Sequence, residues 1–171
     1  THPHSGVRNL KIDSLTSGVQ QGYAGLLAID GIGPYYAEAV FNFEAFPSGN
    51  TFFLTLSNLA GTGIMGLKID DQGNMGLYNG GTQVGSSLPV PLNTNIRFGV
   101  ILFNGGAGAG ILAATVNGLT LLGSATLTLV GNVTFFSVGG NIASEAVTGG
   151  TWYVDDMAAN DTTGTEGETN L

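Results

Sequence analysis

The residues best equipped for chemistry in this chain are its carboxylates. Asp155 and Asp156 stand side by side, next to the single tryptophan, Trp152, and to Tyr153. Such a pair can hold a metal ion or share a proton only if its oxygens converge. In an extended strand successive side chains leave opposite faces. Trp152, Val154 and Asp156 are therefore expected on one side, and Tyr153, Asp155 and Met157 on the other. Convergence would require a bulge. The expectation is a structural pair: one carboxylate takes hydrogen bonds from turn backbone and the other meets water, since a buried carboxylate must find donors.

The remaining candidates fare no better as catalysts. Glycoside hydrolysis uses two carboxyl groups about 5–5.5 Å or about 6.5–9.5 Å apart. Glu38 and Glu44 share a strand face, but six residues of strand separate them by about 20 Å. Glu166 and Glu168 lie in a polar tail. The two histidines, His2 and His4, sit at the N-terminus, so no serine or threonine gains a base. Asp70-Asp71-Gln72-Gly73-Asn74 offers oxygen ligands suited to calcium, yet the same residues are those a hairpin turn requires. It lacks the spacing and closing glutamate of an EF-hand loop. The reading is a non-enzymatic chain with no catalytic, cofactor-binding or metal residue assigned and no cofactor.

The elements that must carry these residues are strands. In 34–46, Tyr35, Ala37, Ala39, Phe41 and Phe43 alternate with Tyr36, Glu38, Val40, Asn42 and Glu44, the first set fitting a core and the second a wetter face. Segments 51–56, 63–69, 96–103, 111–116, 119–129, 133–138 and 151–158 also read as strands, rich in β-branched and aromatic residues. Asn117-Gly118 sits between two apolar runs as a hairpin turn, and 69–75 and 78–82 read as looser turns. No segment has a sustained helical stripe with caps. The expected organisation is an N-terminal arm with an edge strand over 1–19, a β-sandwich over 20–160, and a polar tail or linker over 161–171.

Composition narrows the function classes. Only 9% of residues are charged, where an ordinary domain has roughly 25%, and the net charge is −8. Four basic residues, Arg8, Lys11, Lys68 and Arg97, cannot make the clustered patch that nucleic acid needs. The uncharged run from 98 to 116 is interrupted by Asn104-Gly105-Gly106, too soon for a membrane-spanning helix of about 20 residues. Absence of cysteine removes disulfides and thiol chemistry.

The order YYAEAVFNFEAFP, TFFLTLSN, GIMGLKIDDQGNMGLY, PLNTNIRFGVILF, AATVNGL and VTFFSVGG, closing on GTWYVDDMAANDTTGT, resembles concanavalin A-like (LamG-type) jelly-roll domains of bacteriophage structural and bacterial surface proteins. The resemblance implies an all-β fold of two antiparallel sheets with almost no helix. It carries no single activity, because this fold hosts glucanases, lectins and inert modules alike. Glucanases of the fold usually carry Glu-x-Asp-x-Glu, which is absent here. The expected function is a structural module of a phage virion, a decoration, fibre or tail-associated protein, located at the virion surface or outside the cell. Its expected partners are other virion or surface-assembly subunits and copies of itself, with no nucleic acid and no membrane. The alternative is a lectin-like module that binds glycans through a concave sheet carrying Tyr36, Glu38, Asn42 and Glu44.

Overall fold

The computed structural model describes residues 10–13, 25–26, 35–57, 65–103, 108–117, 119–129, 135–138 and 149–160. Among them the chain is all-β, with no helix. The strands are β1 (Leu10–Asp13), β2 (Gly25–Leu26), β3 (Tyr35–Ala45), β4 (Thr51–Ser57), β5 (Met65–Ile69) and β6 (Asn74–Asn79). They continue with β7 (Thr82–Pro89), β8 (Ile96–Phe103), β9 (Gly108–Val116), β10 (Leu119–Leu129), β11 (Phe135–Val138) and β12 (Thr151–Asn160). Two six-stranded sheets form: sheet A in the order β1-β12-β3-β8-β9-β10, and sheet B in the order β2-β11-β4-β5-β6-β7. Every observed pairing is antiparallel.

The alternation in β3 builds the core from one side. Ala37, Ala39, Phe41 and Phe43 are buried in it, with Ile96, Phe98 and Val100 of β8 and Trp152 and Val154 of β12. Sheet B answers with Phe53, Leu54, Leu56, Met65, Leu67, Ile69, Met75 and Leu77. Phe53 joins the layers, its ring 4.8 Å from Phe41, 5.4 Å from Phe43 and 5.3 Å from Phe98. Offset and edge-on aromatic pairs at such spacings add to the burial itself. Trp152 is fully buried beside Phe43, and its indole N–H has no hydrogen-bond partner.

One departure from the strand expectations has a local cause. Strands β6 and β7 escape notice because Gly, Ser, Asn and Gln dilute their apolar signal, and β7 is largely exposed at a sheet edge. The run 98–116 divides into β8 and β9. No helix among the described residues is long and apolar enough to cross a membrane. Leu10–Asp13, assigned to the N-terminal arm, forms the outermost strand of sheet A against β12. His2, His4, Glu166, Glu168 and the tail 161–171 lie outside the described residues.

Candidate functional site

The outward face of sheet A gathers the chain's polar chemistry. Tyr36, Glu38, Val40 and Asn42 of β3 leave the side opposite the core. Their cross-strand partners are Asp155 and Tyr153 of β12, and Arg97 and Gly99 of β8. The face is not uniformly wet. Val40, Asn42 and Tyr153 are buried, though none belongs to the central core cluster.

Arg97 is the centre of the site. Its Nη1 donates to Glu38 Oε1 at 2.6 Å, and its Nη2 lies 3.7 Å from Asp156 Oδ2. The side chains are partly buried, with exposures of 28% for Arg97, 39% for Glu38 and 19% for Asp156, so the charges are only partly screened by water. Backbone bonds hold the arginine in place. Asn117 N donates to Arg97 O at 2.7 Å, and Arg97 N donates to Asn117 Oδ1 at 3.1 Å. Asn117 has φ 50°, the left-handed conformation expected of the Asn-Gly turn. The turn therefore also positions the arginine.

The alternation reading of β12 is corrected here. Asp155 pairs with Val40 and Ala158 with Glu38, so three residues of β12 advance against two of β3. The extra residue makes a β-bulge, with Asp156 at φ 48°. Asp156 N donates to Asp155 Oδ1 at 2.9 Å. The bulge carries the Asp156 carboxylate to Arg97 on the outward face, while Met157 packs against the core. Both assignments reverse what strict alternation gives.

The other polar candidates separate. Asn42 Nδ2 donates to Asn95 Oδ1 at 2.6 Å, leaving its own carbonyl oxygen buried without a partner. Glu44 stands at a second bulge, between the Thr151–Ala45 and Trp152–Phe43 pairs. Asp70 serves its turn: its Oδ1 accepts from Gln72 N at 3.0 Å and Asn74 N at 2.7 Å, and Asn74 Nδ2 donates to both its oxygens. Among the described residues no group of three or more His, Cys, Asp or Glu side chains could hold a metal ion. Gly99 is buried and closely packed between its neighbours on this face. A Cβ there would stand 2.5 Å from Thr115 Oγ1 and 3.4 Å from Glu38 Cβ.

Sequence reasoning listed Glu38 and Asp156 separately and gave Arg97 no role. The signal that could have found Arg97 is its isolation: it is the last charge before a long uncharged run.

Comparison with known proteins gives a fold and a set of carbohydrate-active neighbours. No protein-family model matches the sequence, and no curated protein matches it. Among solved structures, a Trypanosoma rangeli sialidase mutant with trans-sialidase activity aligns with TM-score 0.55 and 18% identity, over 74% of this chain and 20% of the sialidase. The chain thus spans about a fifth of that protein's length. An alginate lyase from Corynebacterium sp. aligns with TM-score 0.54 and 10% identity, over 81% of this chain and 62% of the lyase. A further alginate lyase aligns with TM-score 0.59 and 14% identity, over 90% of this chain and 81% of the lyase. These likenesses agree with the concanavalin A-like sandwich and show no link to phage. The expected virion structural role is overturned: the neighbours are carbohydrate-active enzymes rather than virion proteins. The lectin-like alternative agrees with them better.

Proposed function

We propose that this chain is a carbohydrate-recognition domain whose contact surface is the outward face of sheet A. The observation that carries the reading is the Glu38–Arg97–Asp156 cluster on that face, in a fold shared with sialidases and alginate lyases. Sugars are recognised by a few fixed polar groups set among apolar and aromatic side chains. Carboxylates accept from hydroxyls and a guanidinium donates to ring and hydroxyl oxygens, both as charge-assisted bonds. Tyr36, partly exposed, supplies aromatic surface in the same row of β3 as Glu38. Recognition needs only these groups.

The experiment is a glycan array probed with the full chain, followed by titration calorimetry on the retained oligosaccharides. Arg97→Ala should weaken binding by at least about tenfold, the loss expected for one charge-assisted hydrogen bond. Retention of no glycan, or unchanged affinity in the Arg97 variant, would sink the proposal. The same oligosaccharides are incubated and analysed by mass. Cleavage that Arg97→Ala abolishes would make the face an active site rather than a recognition surface.

A further inference from the structure

We infer that the outer face of sheet B carries a second ligand site where β6 meets β7, fitted to a neutral sugar chain and separate from the Arg97 cluster. Leu77 of β6 and Val84 of β7 pack inward, so the neighbouring Tyr78 and Gln83 turn away from the core. Four side chains from three parts of the chain meet there. Asn50, in the connection before β4, donates through Nδ2 to the Tyr78 hydroxyl at 2.9 Å. That hydroxyl donates in turn to Gln83 Oε1 at 3.2 Å, across the Tyr78–Gln83 strand pair. Gln83 Nε2 donates to Gly85 O and to Ser87 Oγ, both at 3.3 Å. Asn50, Gln83 and Ser87 are exposed and Tyr78 is partly exposed, so the row is open to a ligand.

Two backbone features hold the row in place. Strand β7 advances from Val84 to Leu88 while β6 advances only from Leu77 to Met75, so two extra residues bulge from β7. Gly85 in that bulge has φ 75°, and the bulge supplies both acceptors of the Gln83 amide. Bulges re-aim side chains and recur beside functional sites; this one clamps an amide. Beneath the row Gly76 is buried, and a Cβ there would stand 2.9 Å from Tyr78 Cε2 and 3.3 Å from Gln83 Cδ. The ring and the amide therefore lie close over the strand as one platform.

The chemistry of the row selects the ligand class. Asn50 spends one N–H on Tyr78 and keeps a second N–H and its carbonyl oxygen. Ser87 accepts from Gln83 and keeps its own O–H. Neutral groups that both donate and accept match sugar hydroxyls, and the tyrosine ring offers apolar surface to sugar C–H groups. The described strands of sheet B hold one charge, Lys68. It is 8% exposed, with Nζ 4.2 Å from the Phe52 ring centroid and 5.2 Å from that of Tyr78. An anionic chain needs an accessible cation, and the exposed row has none. A peptide adding to the β7 edge needs a regular line of backbone groups, which the bulge interrupts.

The test follows the side-chain amide signals of the full chain by NMR, those of Asn50 and Gln83 being assigned by their loss in Asn50→Ala and Gln83→Ala. The probes are neutral cello-, xylo- and laminari-oligosaccharides, an alginate oligomer and a peptide of alternating Thr and Val. A neutral series should shift both signals saturably. Asn50→Ala with Gln83→Ala alters only exposed side chains and should weaken that binding at least about tenfold, the loss of two neutral hydrogen bonds. Tyr78→Phe keeps the ring and should weaken it about threefold. Alginate or the peptide moving these signals at lower concentration than every neutral chain overturns the inference. Sugar binding that Arg97→Ala abolishes, with both signals unmoved, overturns it and leaves the sheet A reading standing. Binding that the double variant abolishes and Arg97→Ala does not upholds it and removes that reading. Failure of every sugar to bind removes both.

Discussion

Asp156 shows how one residue's backbone decides whether a site exists. A left-handed conformation is uncommon outside glycine, and aspartate and asparagine adopt it more readily than most. Its φ of 48° lets β12 absorb an extra residue and aims a second carboxylate at Arg97. Asp156→Asn should keep the bulge and lie within about 1 kcal/mol of the parent, because an ion pair as long as 3.7 Å and still in reach of water contributes little. Asp156→Val should cost about 1–3 kcal/mol, since a β-branched residue is strained there. Urea unfolding of the two variants separates backbone from charge. Equal stability would show that the bulge does not depend on the residue. The sequence displayed the Asp-Asp pair plainly but not its orientation, because a bulge depends on register with β3.

At the scale of elements, hairpin turns were the most legible features and their secondary roles the least. Asn117-Gly118 is recognisable because an Asn-Gly pair suits positive φ. That the Asn117 side chain accepts from Arg97 N is invisible in sequence, since the two residues lie twenty positions apart and meet only through the register of β8 with β9. Asn117→Gly keeps the turn conformation and removes the acceptor, at an expected cost of about 1 kcal/mol. Asn117→Ala also meets the left-handed backbone and should cost roughly a further 1–2 kcal/mol. Thermal denaturation of the pair checks the order, and a glycine variant less stable than the alanine variant would contradict it. In the 69–75 turn the Asp70 carboxylate accepts from the backbone of Gln72 and Asn74, the role turn chemistry gives an aspartate there. Edge strand β7 was missed because its exposure leaves no apolar pattern to read.

Across the whole molecule, two adjacent phenylalanines have different duties. Phe53 is the plug between the sheets, in contact with three rings of sheet A. Phe52 lies on the outer side of sheet B, with Lys68 Nζ 4.2 Å from its ring centroid and Tyr78 edge-on at 6.4 Å. Both are buried, yet only Phe53 belongs to the central cluster. Phe53→Ala should cost about 3–5 kcal/mol, and Phe52→Ala about half as much, because flexible Lys68 can collapse into the space. Equal losses in denaturant titration would contradict the distinction. Sequence by itself determined the all-β class, most strands and the inward residues of β3, because period-two alternation and turn chemistry act within a few neighbouring residues. It also displayed the acidity and the scarcity of cations. Only the tertiary structure decided that Glu38, Arg97 and Asp156 meet, that Asn117 holds the arginine, and that Phe53 rather than Phe52 joins the sheets. Those outcomes depend on strand order, register and bulges, which are settled by packing between segments far apart in the chain.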